Sequence, residues 1–328
     1  MLRVTSPTKM DDRQLNRLIK RVLLLLVVGT IAFVGFYALD RWRPATEPIV
    51  DRRLSALEQA VRDKPEDIAA RGNLADTYVA TGRYDDAVVQ YNAIIETGKA
   101  DEQAKYGRAG AYMGLGQLDA AATDYQAVVD IAKGGEMANV DPMLQAAYYS
   151  LGSIAMQQSR PADAIPFLEK ALAIKRSDAD ALYLIGTALV ATGETDKAEA
   201  ALRGAVAFVP IGWAEPYTAM AEAFTKAGRT AMAEWARAMA DLAAGKPDLA
   251  EPRLLALVDG DAALDAAIGL GLVAETKGDT AAATEWYGKA LALSPDNAAA
   301  RLGMSRVGPA GSALPALPTP AAPVQGND

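Results

Sequence analysis

The sequence predicts an all-α protein in which pairs of helices stack into a solenoid, preceded by one transmembrane helix. Three observations support this prediction. Apolar residues recur at helical spacing in short segments, small and aromatic residues return every 34 residues, and a run of 18 residues without a formal charge precedes these repeats. Each short helix carries an apolar stripe that it cannot bury alone, so it needs a neighbouring helix.

The repeating unit is clearest between residues 66 and 97, where two helical segments meet at a turn containing Gly82. Each segment carries one stripe of small and apolar residues. These are Leu74, Ala75, Tyr78, Ala87, Tyr91 and Ile94. The small residues Ala75 and Ala87 allow the two helices to cross closely, because no bulky side chain separates their backbones.

Five positions of this unit return further along the chain. A shift of 34 residues gives Ala109, Tyr112, Gly116, Ala121 and Tyr125. A third copy follows after a nine-residue insertion, residues 136–144, which contains Pro142 and predicts a loop. The small residue of the first helix recurs in the later copies as Gly152, Gly186, Ala221 and Gly271.

This pattern resembles the tetratricopeptide repeat family, in a membrane-anchored bacterial form. That family places a small residue and an aromatic residue on the first helix, then alanine, an aromatic residue and a closing proline on the second. The resemblance covers residues 50–307 and implies a right-handed superhelix of helix-turn-helix units. Arg108 and Arg237 depart from the pattern at apolar positions. Residues 231–257 fit no clean repeat, because their first helix would have to serve two copies.

The chain divides into five predicted segments, with a half-repeat cap at Arg53–Asp63 and a closing helix at Asn297–Val307. They are a basic tail and helix start (1–21), a transmembrane helix (22–39), a linker (40–50), a solenoid of about six repeats plus capping helices (51–307) and a disordered Pro/Ala-rich tail (308–328).

The apolar run from Val22 to Leu39 is about as long as a bilayer is thick, which favours a membrane anchor. A cleaved signal peptide is less favoured, because the run ends without a small-x-small cleavage site. Six basic residues precede the run and four follow it closely. This bias predicts a cytoplasmic amino terminus, with the repeat domain periplasmic or extracytoplasmic and the lipid bilayer as the partner of residues 22–39.

Composition argues against catalysis and against nucleic-acid binding. The chain has no cysteine and no histidine, which removes thiolate nucleophiles, most zinc and haem ligation, and histidine acid-base chemistry. Residues 1–53 carry a net charge of +5 and the remainder carries -13. An acidic repeat domain lacks the basic surface that phosphate groups require. We therefore predict no enzyme, no catalytic, metal or cofactor-binding residue, and no nucleic-acid partner.

The predicted partner-binding groove follows a column of tyrosines on three consecutive first helices, Tyr106, Tyr149 and Tyr183, each three residues before the small residue of its helix. In the family, this position commonly lines the concave surface. Seven residues further on, about two helical turns, the same face carries Met113, Met156 and Val190. Tyrosine and methionine suit protein contacts, but aromatic residues at helical spacing also pack into cores. Both alternatives remain open.

Three functions are compatible with these features. The leading hypothesis is a membrane-anchored scaffold or assembly protein that binds protein partners of a membrane or envelope complex through its groove. An accessory factor of cytochrome c maturation or an envelope chaperone is the second, since anchored repeat proteins of bacteria have a similar layout. The third is a constitutive structural subunit of a large membrane complex.

Overall fold

The structure is a computed structural model that describes residues 20–21, 23–30, 33–34, 49–207 and 209–308. The chain forms two compact units, Met1–Glu66 and Asp67–Asp328. Residues 40–48 of the predicted linker (40–50), residues 1–19 of the predicted basic tail (1–21) and residues 309–328 of the predicted Pro/Ala-rich tail (308–328) lie outside the described residues. Residues 49–50 of the predicted linker are helical. The helix predicted at Arg53–Asp63 is present as α1 (Ile49–Asp63) in the first unit and begins four residues earlier than predicted.

In the first unit, residues 23–30 and 33–34 are helical, and their large apolar side chains are exposed. No helix in the described part of the chain is long and apolar enough to cross a membrane. The predicted span includes positions 22, 31–32 and 35–39, which lie outside that part. The transmembrane helix at 22–39 therefore stays a prediction.

The second unit is built from helices joined by short turns, and none of its described residues lies in a β-strand. The helices are α2 (Ile68–Ala80), α3 (Tyr84–Ile95), α4 (Asp101–Gly114), α5 (Leu118–Ala132), α6 (Pro142–Gln157), α7 (Pro161–Ile174), α8 (Ala179–Thr192), α9 (Thr195–Val206), α10 (Glu215–Lys226), α11 (Thr230–Ala243), α12 (Pro247–Leu255), α13 (Ala263–Lys277), α14 (Thr280–Leu293) and α15 (Ala298–Val307). The predicted closing helix is α15, capped by the Asn297 side chain.

Successive helices of the second unit pack on one another, which confirms the all-α solenoid. Helices α2, α4, α6, α8 and α10 are the first helices of five repeats, and each packs on the helix that follows it. First helices also contact one another, as in the pairs α2 and α4, α6 and α8, and α8 and α10. Gly82 and Gly116 turn the chain within their repeats with φ of 76° and 71°, a conformation that other residues rarely adopt.

Small residues let bulky side chains of the second helices reach the first helices. The Leu168 side chain lies against Gly152, and Leu202 lies against Gly186. A β-carbon at either glycine would overlap the leucine that packs on it. This packing explains why a small residue recurs at that position of the repeat, and it confirms the close helix crossing predicted from the sequence.

Helix α11 belongs to two pairs at once. It packs on α10, the first helix of the fifth repeat, and also on α12 and α13. Eight of its 14 residues are buried, including Trp235, Met239 and Leu242. The prediction that one helix in residues 231–257 serves two copies is confirmed. Helix α11 therefore ends one array of pairs and begins the next.

The two arginines that depart from the repeat pattern both have polar partners. Arg108 forms a two-pronged ion pair with Asp124, with N–O distances of 2.7 Å, and donates a third hydrogen bond to Asn92. Asp124 is only 4% exposed. Arg237 donates hydrogen bonds to Glu234 and Thr225. The charge of Arg108 on α4 is therefore neutralised by Asp124 on α5, the second helix of the same repeat.

The loop predicted at residues 136–144 lies three residues earlier in the structure, at 133–141, because the preceding helix ends at Ala132 and helix α6 begins at Pro142. The Asp141 side chain caps the helix by accepting hydrogen bonds from the backbone N–H groups of Met143 and Leu144. Proline is favoured at the first position of a helix, where its missing N–H group has no intrahelical partner. Reading Pro142 only as a loop residue was therefore wrong.

Candidate partner-binding surface

The three tyrosines of the predicted groove lie on first helices, at equivalent places. Tyr106 is on α4, Tyr149 on α6 and Tyr183 on α8, and each is half-buried. Each precedes a buried small residue by three positions, so the three side chains leave their helices in the same direction. Helices α6 and α8 are in contact, and Tyr106 and Tyr149 pack against the same apolar cluster. The tyrosines therefore form a column along three consecutive first helices, and we call it the tyrosine column.

Part of each ring packs on neighbouring residues. Tyr106 makes an edge-to-face contact with Tyr125, with ring centroids 5.5 Å apart. Tyr183 makes a similar contact with Trp213 at 5.2 Å. Tyr149 packs against the apolar clusters on both sides of it. These contacts hold the rings in place and leave part of each ring accessible, so the column combines packing with surface.

The other three residues of the predicted groove, Met113, Met156 and Val190, differ in their exposure. Met113 on α4 and Met156 on α6 are half-buried, next to the tyrosine column. Val190 on α8 is only 5% exposed and belongs to the core. Val190 has little surface to offer a partner, whereas the two methionines have some. The role of these residues in partner binding stays a prediction.

Burial and carboxylate charges act on the tyrosine hydroxyls. Burial, together with the charges of Asp180 and Asp178, raises the pKa of Tyr149. Burial and the charge of Glu215 raise the pKa of Tyr183. Burial raises the pKa of Tyr106 as well. All three phenols therefore remain protonated at neutral pH and can donate a hydrogen bond to a bound segment.

Three residues of this surface were missed by sequence reasoning. Asp180 and Glu215 stand at the same place near the start of α8 and α10, 35 residues apart, so the repeat alignment could have found them. Trp213 lies in the connection before α10 and outside the repeat pattern. Its contact with Tyr183 depends on the path of that connection, which no periodicity in the sequence indicates.

Two clefts lie elsewhere in the second unit. One, of about 720 Å³, lies among α5, α6 and α7. The other, of about 670 Å³, lies among α10, α11 and α12 and is lined by Lys226, Arg237 and Arg253. Lys226 pairs with Glu222, Arg237 with Glu234, and Arg253 with Glu234 and Asp241, at distances of 2.5–3.5 Å. The second cleft therefore has its positive charge already neutralised by protein carboxylates.

Family models described as tetratricopeptide repeat match residues 54–109, 102–134, 155–210 and 236–298, together more than half of the chain. The chain belongs to the tetratricopeptide repeat family. Proteins of this family are typically protein-interaction modules without catalytic activity, and their repeats bind protein partners. A search of curated proteins found no match.

Several solved structures are similar to this chain. The C-terminal part of a repeat protein from Cytophaga hutchinsonii is 19% identical over 78% of this chain and 94% of its own, with a TM-score of 0.51. BtubC from P. vanneervenii is 17% identical over 62% of this chain and 93% of its own, with a TM-score of 0.50. MamA from Desulfovibrio magneticus is 19% identical over 56% and 98%, with a TM-score of 0.49.

Proposed function

We propose that this protein is a membrane-anchored scaffold that holds a segment of a protein partner, from a membrane or envelope complex, against its tyrosine column. The observation that carries the proposal is the column itself: three ordered, half-accessible aromatic rings on consecutive first helices of a protein-interaction fold. Tyrosine gives a large contact area with little loss of side-chain entropy, and aromatic residues dominate the binding energy of many interfaces.

The membrane anchor is supported by the first unit. The side chains of residues 23–28 are 53–70% exposed, and all six are leucine or valine. A helix that is apolar all round needs lipid or protein around it. The excess of basic residues before residue 22 favours a cytoplasmic amino terminus and a periplasmic or extracytoplasmic repeat domain.

The change Tyr149→Ala tests the role of the column. Tyr148 on the same helix is the matched control, since it is only 8% exposed and packs in the core. We expect Tyr149→Ala to reduce in vivo cross-linking to partners strongly and to lower the free energy of unfolding only modestly. We expect Tyr148→Ala to cost about 3–5 kcal/mol, as removal of a buried aromatic side chain does.

Cross-linking followed by mass spectrometry measures partner capture, and chemical denaturation measures stability. The proposal fails if Tyr149→Ala leaves the cross-linked partners unchanged, or if it destabilises the protein as much as Tyr148→Ala. In that outcome the column is ordinary core.

Protease treatment of spheroplasts tests the proposed orientation. The short tail before residue 22 is basic and is therefore hard to translocate, so we expect digestion of the repeat domain in intact spheroplasts. Protection of the repeats until the cells are lysed would reverse the orientation.

A further inference from the structure

The tyrosine column has carboxylates beside it in a repeating arrangement. Gln145, one turn before Tyr149 on α6, donates a 3.3 Å hydrogen bond to Asp178, two residues before Asp180 near the start of α8. The Tyr183 ring on α8 contacts Trp213 at 5.2 Å, two residues before Glu215 at the start of α10. In keeping with this placement, the charge of Asp180 acts on Tyr149 and that of Glu215 on Tyr183. Asp180 and Glu215 are both exposed. We call each pair of a ring on one first helix and a carboxylate on the next first helix a ring-carboxylate station. Two such stations stand side by side, because α8 packs on both α6 and α10.

Basic residues are missing from the same three helices over most of their length. Helices α6 and α8 contain no lysine or arginine, and in α10 the only one is Lys226 at its last position. Lys226 is bound by Glu222 at 2.7 Å. In the turn before α8, Lys175 is bound by Asp178 at 2.9 Å. Arg176 in the same turn is exposed. On α6, α8 and α10 themselves, the charged residues outside the pair of Lys226 with Glu222 are Asp180 and Glu215.

An aromatic ring beside a carboxylate is an arrangement that recognises cations. The carboxylate forms a charge-assisted hydrogen bond with an ammonium or guanidinium group, and the ring face attracts the same cation through its quadrupole. At the second station Trp213 stands edge to face with Tyr183, so two rings border one carboxylate. The residues that form the two stations are neutral or acidic, so their own chemistry favours a cation over an acidic segment or a phosphate.

We propose that the partner segment bound by this surface is an extended basic segment of a protein, with two Lys or Arg side chains, one at each ring-carboxylate station. This inference rests on the proposed function and deepens it by naming the chemistry of the partner. Tyr149 with Asp180 forms the first station, and Tyr183 with Glu215 forms the second.

The spacing of the two cations follows from the geometry of the helices. Packed helices lie about 8–10 Å apart, and an extended chain rises about 3.3 Å per residue. A segment that crosses α6 and α8 therefore presents side chains to the two stations about three residues apart. The phenol hydroxyls of the column remain available as hydrogen-bond donors to the backbone carbonyl groups of the segment.

A displayed library of random 12-residue peptides tests the inference. The full-length protein in detergent micelles is the target, at low and at high salt. Peptides are selected in parallel against three variants of the protein. These are Asp180→Asn with Glu215→Gln, Tyr149→Ala, and Glu169→Gln. Glu169 is the matched control, because it is an exposed carboxylate on α7, a second helix outside the column.

We expect peptides selected by the unchanged protein to be at least tenfold enriched in pairs of Lys or Arg about three residues apart. The enrichment should weaken at high salt, disappear with Asp180→Asn and Glu215→Gln, and persist with Glu169→Gln. Neutral or acidic peptides that still depend on Tyr149 would overturn the basic-segment inference and leave the proposed binding surface standing. If Tyr149→Ala selects the same peptides as the unchanged protein, or if no peptides are enriched, both the basic-segment inference and the proposed binding surface are wrong.

Discussion

Gly107 and Gly110 lie one helical turn apart on α4 but have different surroundings. Gly107 faces the Tyr91 ring, whose hydroxyl donates a 2.5 Å hydrogen bond to Asp76. A β-carbon at Gly107 would overlap that ring, whereas one at Gly110 would have no neighbouring atom within 4 Å. Both changes to alanine favour the helix by about 0.5–1 kcal/mol, because glycine loses more backbone entropy on folding.

We therefore predict opposite effects of the same substitution. Gly110→Ala should stabilise the protein by up to about 1 kcal/mol, while Gly107→Ala should destabilise it, since overpacking a core costs about 1–3 kcal/mol. Denaturant unfolding of the two variants measures the difference. Equal stability of both variants would show that Tyr91 can move aside and that its hydrogen bond to Asp76 does not hold the ring.

Arg108 shows where sequence reasoning stops at the level of single residues. The repeat pattern identifies the position of Arg108 as apolar and marks the arginine as an exception. It does not indicate that Asp124, 16 residues later on the second helix, neutralises it. The contact depends on two rotamers and on the helix crossing, and both are tertiary features. The contact between Trp213 and Tyr183 could not be predicted from the sequence for the same reason.

At the level of elements, helix α11 joins two arrays of helix pairs. In a repeat protein each unit contacts only its neighbours, so a destabilising change lowers the stability mainly of its own unit and the adjacent ones. Helix α11 contacts α10 on one side and α12 and α13 on the other. A cavity in α11 should therefore weaken both arrays, unlike a cavity within a single repeat.

The change Leu242→Ala tests this. Leu242 is fully buried in α11, and replacing a buried leucine by alanine costs about 2–5 kcal/mol. We expect faster amide hydrogen exchange in both α10 and α13. The control is Leu168→Ala in α7, also fully buried, which should accelerate exchange in α6 and α8 but not in α13. Faster exchange on one side of α11 alone would show that the arrays are independent.

The order and type of the helices could be predicted from the sequence because the repeat is periodic. Small residues occur where helices cross closely, and glycines with positive φ form the turns at Gly82 and Gly116. The start of α6 could not be predicted in this way, because a proline suits both a loop and the first turn of a helix. Capping by Asp141 decides between them.

For the whole molecule, fold and function follow from different parts of the sequence. Residues shared by all repeats specify packing, so they identify the family and carry no information about the partner. Other positions are shared by only some repeats: a tyrosine by α4, α6 and α8, and a carboxylate by α8 and α10. These positions are free of that constraint and can be used for recognition. The candidate site therefore lies where a subset of the repeats shares an accessible residue type that the remaining repeats lack.

The last prediction concerns the anchor. Removing residues 1–47 deletes the exposed apolar residues 23–28 and leaves the helices that bury their faces on one another. We expect the shortened protein to be soluble and strongly helical, with almost no strand, by circular dichroism. The full-length protein should stay in the membrane pellet after alkaline carbonate extraction.

A matched control keeps the length of the chain and changes only the anchor. Leu25→Lys with Leu26→Lys places two charges in the apolar run, and each costs about 2.5–3.5 kcal/mol at the centre of a membrane span. This variant should leave the membrane pellet as the shortened protein does. If the shortened protein instead remained in the pellet, the repeat domain itself would bind the membrane, and residues 22–39 would not be the anchor.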